Sequence, residues 1–233
     1  MSSYRRPAID APVFRDEHGE VIDYGRRWTG SPPEHTYSVE THPQRFAPLH
    51  TVADALIAHL RDTYDVHIDE GVEVATDLLR PPFNAVLRAV RVRPNDPACA
   101  PLTFIFTDYP GLHLHAGLLT DFLYPVCGCD ACDSTWEAEA DGLERHVLAI
   151  VAGDYRESIE RTPEPWVTFS LTYPDDIGTS PAGTGHGGRS RADDIPAARV
   201  SEAEPRLRSI PAGWAPWPRA ACPGAASPSA PRD

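Results

Sequence analysis

Leu49, Val52, Ala53, Leu56, Leu60 and Tyr64 recur at intervals of three and four and draw one apolar stripe. That spacing predicts an amphipathic helix from about Pro48 to Tyr64, with Pro48 suited to its first turn. A second stripe, Trp136, Ala140, Leu143, Val147 and Ile150, predicts another helix. Ser134 and Glu137 read as its capping box, and the helix is expected to end near Gly153. Between the two helices the period shortens. A strand is expected near Val66 to Asp69, and β-branched content favours a second over Asn84 to Arg93. Pro101 to Thr107 reads as a strand with Leu102, Phe104 and Phe106 on one side. Leu112 to Leu118 and Phe122 to Val126 follow, and Trp166 to Thr172 alternates as a last strand. Turns at Asn95-Asp96-Pro97 and Tyr109-Pro110-Gly111 make the neighbours antiparallel. The expected fold is therefore α+β: an antiparallel sheet of about four or five strands with two amphipathic helices on one face.

The ends read differently. Residues 1–45 are broken by Pro7, Pro12, Pro32, Pro33 and Pro43, yet carry Tyr4, Phe14, Tyr24, Trp28 and Tyr37. That is too aromatic for a free arm, so an irregular segment packed on the domain is expected. The domain itself is assigned to residues 46–173. Residues 174–233 are rich in Pro, Gly, Ser and Ala and read as a largely disordered tail. One exception is Trp214-Ala215-Pro216-Trp217-Pro218, whose indoles would bury much apolar area if docked.

Charge narrows the function classes. The net charge is −13, and residues 1–173 carry all of the excess, with 27 acids against 14 arginines. Nucleic-acid binding needs a basic face, so it is not expected. All 21 basic residues are arginine, which removes Schiff-base chemistry and the lysine of a phosphate-binding P-loop. No apolar run approaches the roughly 20 residues of a membrane helix. The first residues carry Arg5, Arg6, Asp16, Glu17 and Glu20 with no apolar core, so no signal peptide is expected. The chain reads as cytoplasmic, where clustered thiols favour metal or redox work over structural disulfides.

The chemistry concentrates in Cys127-Gly128-Cys129-Asp130-Ala131-Cys132. A turn of this length aims three sulfurs at one point, about 2.3 Å from a zinc ion. A closed tetrahedral site needs a fourth ligand. His113 and His115 share a face of a predicted strand, and His115 is taken as the fourth; Asp130 and Asp133 are nearer in sequence, and His146 is less suited. The loop precedes a capped helix end, where the dipole favours a thiolate. The same feature opens a rival reading: Cys129 and Cys132 form a C-x-x-C and serve thiol–disulfide exchange. Reduced, inert thiols are the bland alternative. Cys99 and Cys222 read as incidental. Gly183 to Gly188 matches G-x-G-x-x-G, but no strand and helix flank it in the pattern, and it reads as linker. Acidic pairs such as Asp69-Glu70 are adjacent rather than opposed, and no nucleophile–base pair is visible.

Several motifs are shared with one family. Tyr24-Gly25-Arg26-Arg27-Trp28, Arg45 to Leu56, His115-Ala116-Gly117, the heptamer Cys127 to Asp133 and Gly213 to Pro218 resemble an actinobacterial family, domain-of-unknown-function family 6226. The resemblance spans most of the chain. It implies a bacterial single-domain protein and brings no catalytic residues with it. The functional expectation is a small domain with a structural zinc or other soft-metal site at Cys127, Cys129, Cys132 and His115, in an accessory or interaction role.

Overall fold

The computed structural model describes residues 4–161, 164–173 and 184–221. The first helix, α1 (Pro48–Thr63), leads into β1 (Val66–Glu70). Four strands follow: β2 (Val86–Pro94), β3 (Leu102–Thr107), β4 (Leu112–Ala116) and β5 (Thr120–Tyr124). The second helix, α2 (Trp136–Ala152), is followed by β6 (Tyr155–Glu160), β7 (Trp166–Thr172) and β8 (Gly185–Arg191), and α3 (Ala197–Ser209) closes the order. The α+β class is as expected: β1 to β5 form one antiparallel sheet in sequence order, and β6 to β8 a second.

Register explains how the large sheet divides its labour. Val90, Phe104, Leu114 and Phe122 lie opposite one another across β2 to β5. All are buried in one continuous core with Leu49, Leu56 and Leu60 of α1 and Leu143, Val147 and Ile150 of α2. The period-2 and period-3.6 stripes thus meet on one face. The second face carries a polar row: Asp69, Arg91, Thr103, His115 and Asp121 lie opposite one another from β1 to β5. A short 3-10 segment, Val72–Asp77, covers it with a small apolar cluster of Val74, Leu78, Ala89 and Ile105.

Two local expectations shift. α2 is capped by Thr135, whose hydroxyl accepts from the Ala138 amide at 3.2 Å, rather than by Ser134. Asp133, at φ 52, turns the chain just before and delays helix entry by one residue. Gly153, at φ 84, ends the helix in the left-handed region that favours glycine.

Residues 184–221 differ from the irregular tail expected there. Gly185–Gly188 of the G-x-G-x-x-G stretch lie in strand β8, with Gly187 opposite Ser170 and Gly188 opposite Phe169, so this part is ladder rather than linker; Gly183 lies outside the described residues. Sequence periodicity misses β8 because three of its seven residues are glycine and the rest are polar; the pairing is made by backbone. Leu207 and Ala203 of α3 reach the core, although Pro205 lies inside that helix. Trp214 and Trp217 are each 4% exposed. Their indoles donate to Glu157 and to the Ala100 carbonyl at 3.1 and 3.0 Å. Residues 174–183 and 222–233, also assigned to the tail, lie outside the described residues, as does Cys222. No helix among the described residues is long and apolar enough to cross a membrane.

Candidate metal centre

The cysteine loop leaves the end of β5 and is fixed from outside by residues 24–45. The amides of Asp130 and Ala131 donate to the carbonyls of Val39 and Thr36, at 2.7 and 3.1 Å. Arg45 is buried and donates to the carbonyls of Gly128 (2.6 Å) and Ser134 (3.3 Å). Arg27 donates to the Asp130 carbonyl and to the Asp133 carboxylate, each at 2.5 Å. The Tyr24 ring stands 4.5 Å from both guanidinium carbons. Two arginines thus hold the backbone of the loop on both sides of the sulfurs. Gly128 is required by contact: a Cβ there would lie 1.8 Å from the Tyr109 hydroxyl.

Inside this frame the sulfurs converge. Cys127 Sγ lies 3.4 Å from Cys129 Sγ, which lies 3.5 Å from Cys132 Sγ. All three lie within 4.8 Å of one another, and none is in a disulfide. Around a tetrahedral ion with bonds of about 2.3 Å, sulfurs stand about 3.8 Å apart. Two of the three separations are a few tenths of an ångström below that, so a small adjustment of the set accepts one. Cys129 is buried, whereas Cys127 and Cys132 face solvent. Burial pushes the Cys129 thiol up, but the Cys132 amide, the neighbouring Cys127 and Cys132 thiols and the Ser38 amide together bring it down to about 7. Cys132, bonded to the Cys127 and Cys129 thiols and partly desolvated, is pushed up to about 12. The cysteine nearest α2 is therefore the one raised, and backbone amides rather than the helix end favour the Cys129 thiolate. Ser38, at φ 58, and Asp133 are the two non-glycine residues in the left-handed region among those described, and both flank this site.

The structure does not bring His115 to the sulfurs. Its Nδ1 lies 2.6 Å from Asp121 and its Nε2 3.4 Å from Arg199, within the polar row of the second face. His113 pairs with Leu123, nearer the loop by two residues of β4, and lines a cavity with Cys127. Asp130 and Asp133 are close in space but committed. Asp130 accepts the Thr41 hydroxyl and amide, and Asp133 takes the Arg27 amide and guanidinium. His146 is enclosed by Tyr124, Tyr173 and His186. Sequence reasoning did not find Arg27, Arg45, Ser38 or Thr41 as parts of the site. They lie roughly 80 to 105 residues away in the chain, and no periodicity marks them.

The sequence profile of DUF6226, a family of unknown function, matches residues 10–221. The chain belongs to that family. No curated protein and no solved structure matches it. The matched span reaches from the arm that frames the DUF6226 cysteine loop to the docked Trp214 and Trp217, so the frame and the sulfurs fall within one family unit.

Proposed function

We propose that Cys127, Cys129 and Cys132 hold a soft divalent cation, zinc by preference, in a small domain with an accessory or interaction role. The observation that carries this reading is the trio of unoxidised sulfurs within 4.8 Å, on a loop whose carbonyls are tied by Arg27 and Arg45. Backbone amides directed at Cys129 stabilise the deprotonated form that a metal requires. The acidic balance speaks against a nucleic-acid partner, and a clustered set of cysteines suits a cytoplasmic protein, where thiols stay reduced. Protein purified without chelator should contain about one zinc per chain, and C127S/C129S/C132S should contain none. A folded, metal-free wild-type protein that takes up no added zinc defeats the reading.

Thiol–disulfide exchange through Cys129 and Cys132 is the second reading, supported by their 3.5 Å separation. Accessibility favours the metal. Exchange needs an exposed attacking thiolate, yet Cys129 is 7% exposed. Alkylation separates the two: exchange predicts one fast-reacting thiol that a chelator leaves unchanged, whereas metal binding predicts three thiols protected together and released by chelation.

A further inference from the structure

Three sulfurs converge within 4.8 Å, and among the described residues no fourth donor joins them. Among the described residues the metal-competent group consists of the three cysteines alone. The donors nearest in sequence are spent on the frame, Asp130 on Thr41 and Asp133 on Arg27. The closed side of the group is Cys129; its solvent side lies between Cys127 and Cys132. Cys127 also lines a cavity of about 400 Å³ at the end of β4 and β5. Its walls are largely apolar, with Phe83, Leu123 and Val126 among them, and these three are also exposed to solvent. An apolar rim around an open cleft is what a small organic ligand uses for affinity, with a few polar groups for orientation. The polar groups here are Glu40, Asn84, Thr107, Tyr109 and His113, whose pKa burial lowers.

We propose that the metal keeps its fourth position open toward this cavity and binds a small thiol with an apolar body there; this rests on the metal reading above. A trithiolate site is soft and selects a soft fourth donor. Binding is a ligand exchange. The thiol releases its proton to solvent, its sulfur bonds the metal, and a metal-bound water leaves. The organic portion then covers the rim formed by Phe83, Leu123 and Val126.

The full chain loaded anaerobically with cobalt(II) reports both layers. About one cobalt per chain with sulfur-to-cobalt charge-transfer bands is expected. Benzyl mercaptan should shift the visible bands saturably, and benzyl alcohol should not. Phe83→Asp should leave the ligand-free spectrum intact and weaken the thiol titration at least about tenfold, the loss expected when a charge replaces an apolar contact. C222S should behave as wild type. Cobalt bound with a spectrum that benzyl mercaptan leaves unchanged overturns the proposal while the metal reading stands. So does a ligand-free spectrum altered by Glu40→Gln, because Glu40 lines the same cavity and would then be closing the site itself. Failure to take up cobalt or zinc refutes the metal reading and this proposal with it.

Discussion

The cysteine loop and the polar row on the second face of the large sheet use similar residue types to opposite ends. In the row Arg91, Thr103, His115 and Asp121 each have a hydrogen-bond partner, and Asp69 is paired with His67 through one of its two oxygens. Asp77 accepts from Arg91 Nη2 and Nε, at 2.5 and 2.6 Å, and from the Thr103 hydroxyl, at 2.6 Å. His115 is held by Asp121 and faces Arg199. Around the loop, arginines and carboxylates neutralise one another in the frame and leave three sulfurs over. Saturated polar groups stabilise a fold, whereas donors left over in a rigid frame are free for a ligand. His146 sides with the row: two tyrosines and His186 enclose it.

The largest break in this comparison is removal of the sulfurs. C127S/C129S/C132S should lose all bound zinc, and chelation of wild-type protein should lower its melting temperature without a comparable effect on the variant. Equal effects on both would mean that the loop holds no structural ion. Next comes pH. Burial, helped by the charges of His186 and Arg145, lowers His146 from 6.5 to about 3. The unfolded chain therefore binds that proton more readily between those values. Its contribution is complete above about pH 6.5 and is lost as pH falls toward 3, with a ceiling of about 5 kcal/mol. Denaturant melts of wild type and His146→Gln across that range should converge as pH falls; parallel curves would remove His146 from the account.

Asp77→Ala tests the saturated side. It strands Arg91 and Thr103 together and should cost about 2–3 kcal/mol in a urea melt, with zinc content unchanged. Arg45→Ala tests the frame. It frees the Gly128 and Ser134 carbonyls and should weaken zinc binding about 10–100-fold by competition with a chelator. His115→Ala should leave zinc content and affinity as in wild type; a loss of zinc there would return His115 to the ligand set and erase the contrast.

Much of this architecture was legible in the chain. The stripes of α1 and α2, the alternation of β3 and β7 and the turns between β2, β3 and β4 are local patterns, and local patterns survive in sequence because side-chain period follows backbone geometry. The cysteine spacing was legible for the same reason, since three sulfurs within six residues are brought close by one turn. β8 and α3 were not. Gly185, Gly187 and Gly188 carry no period, and Pro205 masks a helix whose inner face is little more than Ala203 and Leu207.

Tertiary structure alone decided what surrounds the sulfurs. His115 was taken as the fourth ligand from the strand face it shares with His113, but register set it opposite Asp121, and that short contact is what binds it. Arg27, Arg45 and Ser38 reached the loop only because the arm folds back across the end of the sheet. Sequence fixes which donors exist and which faces they share. Whether a donor is spent on a neighbour or left for a ligand depends on contacts between residues far apart in the chain, and those are set when the elements pack.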